Sequence, residues 1–129
     1  MVENTQPITE KRNSMKDDYH LPVITRLERE ARRLGIKKAK LAMVLGLNER
    51  EYNYISDGWK VLSMSLLTPY VYNLFTSMRI DLFYVLTGVC GEGLCADCRK
   101  AFIQRWLNGL PPDERFRMQF FASRIQFNM

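Results

Sequence analysis

The sequence predicts an all-α fold, with five helices over residues 19–88 and a small helical C-terminal segment over 101–129. Three observations carry that reading. Apolar residues recur at helical spacing, as in Ile24, Leu27, Ala31 and Leu34. The stretch Leu41–Ile55 reads as two short helices around a tight turn at Gly46. Start and stop residues punctuate the chain at helical lengths, with Asn48, Thr68-Pro69 and Asp81 as starts and Gly35, Gly46 and Gly58 as stops.

Residues 1–18 are polar and carry no apolar period, so they read as a flexible tail. Lys11, Arg12 and Lys16 would be available there for phosphates. The first helix is expected from Pro22 or Val23 to Leu34, because proline at a helix start loses no hydrogen bond. Its arginines, Arg26, Arg29, Arg32 and Arg33, fall on the other faces and read as solvated or phosphate-facing. The second helix runs from about Lys37 to Leu45. Asn48 then caps the third, with Glu51 placed to complete a capping box, and that helix ends near Asp57. Leu41, Ala42, Leu45, Leu47, Tyr52 and Ile55 form the inward face of this pair.

Trp59–Leu67 is apolar without a clear period. Thr68-Pro69 opens a fourth helix that reaches about Met78 and would bury Val71, Leu74, Phe75 and Met78. Asp81 caps a fifth, Leu82–Leu86, which stops at Thr87-Gly88. The Gly- and Cys-containing stretch 89–100 reads as a linker. Ala101, Phe102, Trp106 and Leu107 mark a sixth helix ending near Asn108-Gly109. After a break at Leu110-Pro111-Pro112, Phe116, Phe120 and Ile125 mark a last one.

A hydrophobic fraction of 47% supports a real core, and no apolar run approaches the ~18 residues of a membrane span. The N-terminus has no apolar signal region, so a cytoplasmic location is expected. The net charge of +5 suits a polyanionic partner, and residues 23–60 hold nine Lys/Arg against five Asp/Glu, which places most of the excess on the first three helices. An enzyme is not expected. The chain has one histidine, no Gly-rich phosphate loop and no nucleophile–base arrangement.

Cys90-x4-Cys95-x2-Cys98 supplies three thiols where zinc favours four ligands. His20 is the sole imidazole and remote in sequence. Unliganded linker thiols, and so no cofactor, are the expectation. Zinc and a redox pair stand as alternatives.

With these residues in view, the chain resembles the phage-repressor and Cro-like (Xre-type) helix-turn-helix regulators. The resemblance covers about residues 23–88. It rests on Leu41, Ala42, Leu45, Gly46 and Leu47 around the turn, on Tyr52, Ile55 and Gly58 in and after the third helix, and on the closing Ile80–Gly88 with its Leu-Thr-Gly ending. Two departures stand out. Lys37 and Lys38 replace the usual Thr or Ser followed by Gln, and the loop after Gly58 is longer and more apolar, with Trp59 and Leu62 where basic residues are common.

The resemblance implies a five-helix repressor-like helix-turn-helix domain and a sequence-specific DNA-binding regulator, of the phage or prophage repressor type. It implies base contacts from Asn48, Glu49, Arg50, Asn53 and Tyr54 in the major groove of double-stranded DNA. Arg pairs bidentately with guanine and Asn with adenine, which makes Arg50 and Asn53 the leading readers. Lys37, Lys38, Lys40 and Lys60 are the expected phosphate contacts. Such domains usually pair on a palindromic operator. Phe102, Trp106, Leu107, Phe116, Phe120, Phe121, Ile125 and Phe127 make 101–127 the expected homodimer element, unless they pack back onto the first domain. The competing reading is a protein-interaction module on the same fold, such as an antitoxin or phage accessory protein.

Overall fold

In the computed structural model, residues 18 and 20–127 are described, without the side chains at 120, 123 and 125–127. The described chain is helical throughout: α1 (Val23–Leu34), α2 (Lys38–Leu45), α3 (Glu49–Ser56), a single 3-10 turn (Met64–Leu66), α4 (Pro69–Ser77), α5 (Leu82–Thr87), α6 (Ala96–Asn108) and α7 (Pro112–Phe127). Among the described residues no helix is long and apolar enough to cross a membrane. Of the expected tail at 1–18, residues 1–17 lie outside the described residues, whereas Asp18 is held in place by hydrogen bonds.

Local chemistry sets most boundaries. Gly35 and Gly46 close α1 and α2 in the left-handed conformation, with φ of 75° at each. Thr68 and Asp81 accept the N–H of Val71 and Tyr84, capping α4 and α5 as their sequence predicts. One continuous core runs from Ile24, Leu27 and Leu41 through Phe75, Phe83 and Tyr84 to Trp106, Met118 and Phe121. Leu74 and Met78 are only half-buried at its edge, and Tyr72 takes the interior place on α4.

Three further expectations are corrected. Arg26 does not face solvent: it is 5% exposed. Its Nε donates to Val85 O at 2.7 Å and its Nη2 to Leu86 O at 3.1 Å, while Nη1 reaches Leu21 O and Asp18 O. These acceptors include late carbonyls of α5, which a six-residue helix cannot satisfy internally. Burial pulls the guanidinium below its usual value, with Tyr84 and Asp18 acting the other way.

Second, the linker is shorter than 89–100, because Ala96–Lys100 form the first turns of α6. Third, most of the C-terminal apolar side chains that are described are not surface. Trp106, Leu107 and Phe121 are buried, Phe102 is half-buried, and Phe121 stacks on Tyr72 of α4 with ring centroids 5.4 Å apart. Phe116 stays 79% exposed. The side chains of Phe120, Ile125 and Phe127 lie outside the description.

The N-terminal side is tied down at Asp18. Its N–H donates to Gly88 O at 2.6 Å, and its carboxylate accepts from Tyr84 Oη at 2.5 Å and Arg29 at 3.1 Å. Arg33 pairs with the buried Glu30, which also accepts the N–H of Asp81. Of the four α1 arginines, Arg32 and Arg33 remain exposed along with Arg29, and two of these three hold carboxylates.

Candidate nucleic-acid interface

α3 is short, eight residues, so its position depends on its ends and on what it leans against. Asn48 Oδ1 accepts the N–H of Glu51 at 2.8 Å, and Glu51 Oε1 accepts the N–H of Asn48 at 3.2 Å. This is the capping box expected from the sequence, and it commits both side chains. Tyr52 and Ile55 seat the helix in the core.

One anchor has no local signal in the sequence. Glu28 of α1 accepts Tyr52 Oη at 2.5 Å and Ser56 Oγ at 2.8 Å, which fastens α3 to α1 through two residues one turn apart. No periodicity marks Glu28, since its partners lie 24 and 28 residues away. Lys38 Nζ stands 3.9 Å from the same carboxylate, a loose pair from an exposed ammonium that contributes little.

Glu28→Ala is expected to cost about 2 kcal/mol in urea unfolding, because a buried phenol then loses its charged acceptor. The Tyr52 phenol is pushed above the usual phenol range, first by burial and then by Glu28. A raised folded value favours the neutral form. That stabilisation is complete below about pH 10, the unfolded value, and is lost as pH rises beyond it. Stability measured across alkaline pH should fall above about pH 10, over a narrower pH range in Glu28→Ala.

On the outward side, Glu49, Arg50, Asn53 and Tyr54 are all exposed. Among the described residues, Arg50, Asn53 and Tyr54 make no side-chain hydrogen bond or ion pair. Tyr54 is 55% exposed and does not bury its ring against Trp59, itself 74% exposed. The α3 helix carries Glu49 and Glu51 in its first turn against a single cation, Arg50. The positive charge comes from its neighbours. Lys37, Lys38 and Lys40 are exposed at the start of α2, whose N-terminus has no side-chain cap and no acidic residue in its first turn. An uncapped N-terminus with three ammonium groups is a favourable place for a phosphate. Lys60 is exposed in the loop after α3. In that loop Leu62 turns inward, whereas Trp59 and Val61, 86% exposed, point out.

Among the described residues no group of three His, Cys, Asp or Glu side chains converges as a metal site. Cys95 and Cys98 do meet, with their sulfurs 3.1 Å apart, and Cys90 stays half-buried apart from them. Compared with known proteins, the chain matches no family model, no curated protein and no solved structure.

Proposed function

We propose that the chain is a sequence-specific DNA-binding regulator of the phage-repressor helix-turn-helix type, which reads the major groove with α3 and acts as a dimer. The observation that carries this reading is the outward face of α3. Arg50, Asn53 and Tyr54 are exposed and uncommitted on a helix whose N-terminal cap and inner face are engaged. The donors on this face match guanine and adenine edges. Lys37, Lys38 and Lys40 at the open start of α2 would set register on the phosphates. Glu49 can accept from cytosine N4, and Asn48 contributes chiefly as the cap. With Trp106, Leu107 and Phe121 in the core, pairing would rest on Phe116 and the outer face of α7.

One observation favours a protein partner instead. Trp59 and Val61 form an exposed apolar pair beside α3, in a loop where a phosphate contact needs cations. Selection of bound sequences from a random duplex pool separates the two. A palindromic enriched site, with affinity that falls steeply as salt rises, is expected. No enrichment even at low salt would remove the DNA reading and leave the protein-binding one.

A further inference from the structure

We propose that Cys95 and Cys98 form an exchange-active dithiol, oxidised by low-molecular-weight disulfides, with Cys95 as the attacking and Cys98 as the resolving thiol. The site does not depend on DNA binding. Cys95 is the N-cap of the 13-residue α6, and its sulfur takes the place of a capping oxygen, accepting the N–H of Cys98 at 3.3 Å. The two sulfurs stand 3.1 Å apart and both residues are exposed. Bond formation needs them to close by roughly 1 Å.

The backbone on either side is anchored. Arg99, next to Cys98, donates to Gly91 O at 2.9 Å and lies over the Phe83 ring at 4.2 Å. A Cβ at Gly91 would stand 2.8 Å from Cδ2 of the buried Phe83 ring as well as against Arg99 Nη1, so a larger residue would have to displace both. The thiol pair is thus presented from a fixed frame, with one sulfur at a helix N-terminus that favours its anion. The contact with Cys98 also holds the Cys95 thiol below its ordinary value and pushes Cys98 up.

The Cys95 thiolate attacks one sulfur of the disulfide R–S–S–R. That S–S bond breaks and RS⁻ leaves, taking up the proton that Cys95 gave to solvent. Cys98 then loses its proton and attacks Cys95 Sγ, releasing the second RS⁻, which is protonated in turn. Two electrons pass from the dithiol to the small disulfide, giving the Cys95–Cys98 disulfide and two RSH. Cys90 is half-buried and contacts neither sulfur, so it takes no part.

The test exposes the full chain to oxidised glutathione at neutral pH, quenches with acid and alkylating agent, and locates modifications by mass spectrometry. Wild type and Cys90→Ser should give the Cys95–Cys98 disulfide. Cys98→Ser should accumulate glutathione on Cys95, and Cys95→Ser should react about tenfold more slowly or worse. Serine is itself a good N-cap, so Cys95→Ser should keep α6, as circular dichroism would verify. If that variant lost helix, the Cys98→Ser trap would still decide. Equal rates for Cys95→Ser and Cys98→Ser, absence of the trapped adduct, or a wild-type linkage through Cys90 would each overturn the proposal.

Discussion

Arg26→Met is expected to lower stability by about 3–5 kcal/mol, the largest effect of any substitution considered for this chain. Methionine roughly fills the volume but donates nothing. Val85 O and Leu86 O, buried at the end of α5, would then lose the guanidinium fork that satisfies them. Each stranded buried carbonyl costs about 1–3 kcal/mol, and the cation's favourable place near the C-terminus of α5 is lost as well. A melting temperature lower by roughly 10–20 °C should follow for a domain of this size. Arg26→Lys should recover less than half of the loss, because one ammonium cannot span two successive carbonyls in the geometry of a planar fork. Calorimetry and urea titration measure both variants. A loss below about 1 kcal/mol for the methionine variant would mean that water replaces the arginine at no cost.

The second large effect is on binding. With a selected operator in hand, Arg50→Ala is expected to weaken the complex by about 10- to 100-fold, which corresponds to losing one bidentate base pair contact of roughly 1–3 kcal/mol. The melting temperature should hold or rise slightly, since Arg50 is exposed and alanine is the better helix former. Lys37→Ala should behave differently. It should weaken binding to all sequences alike and reduce the salt slope by about one. Competition anisotropy against specific and scrambled duplexes resolves the two patterns. If Arg50→Ala lost affinity equally on both duplexes, Arg50 would be a phosphate contact and the reading role would pass to Asn53 and Tyr54.

The elements legible in the sequence are those whose boundaries are local. The Asn48–Glu51 box, the Gly35 and Gly46 turns and the Thr68 and Asp81 caps each involve residues within a few positions of one another, and each forms as expected. The role of Arg26 is illegible for the opposite reason. An arginine on a helix reads as solvated unless its acceptors are known, and these lie 59 and 60 residues away. Glu28 carries no local signal for the same reason.

The C-terminal segment shows a different limit. Trp106, Leu107 and Phe121 were recognisable as apolar surface in need of cover, but periodicity names no partner, and the chain supplies one itself in α4 and α5. The start of α6 at Ala96 is hidden in the sequence because cysteine is an uncommon cap and Gly91–Cys95 has linker composition. At the candidate site, the exposed positions of α3 followed directly from the inward pattern of Tyr52 and Ile55. The apolar exposure of Trp59 and Val61 did not follow, because a loop has no period to read.

If the chain pairs on DNA as proposed, the burial of α6 and α7 in the same core as α1 to α5 would constrain how its half-sites are spaced. Where a reading domain hangs from a tether, it can follow a half-site that is shifted or turned. Here the Phe121–Tyr72 stack and the Ser63–Glu114 hydrogen bond lock the C-terminal helices to the body that carries α3. Two chains joined through α7 would hold their α3 helices at a single separation and a single rotational phase. One added base pair rotates a half-site by about a tenth of a turn around the duplex. A pair built this way cannot absorb that rotation, so spacing between half-sites would itself act as a specificity determinant.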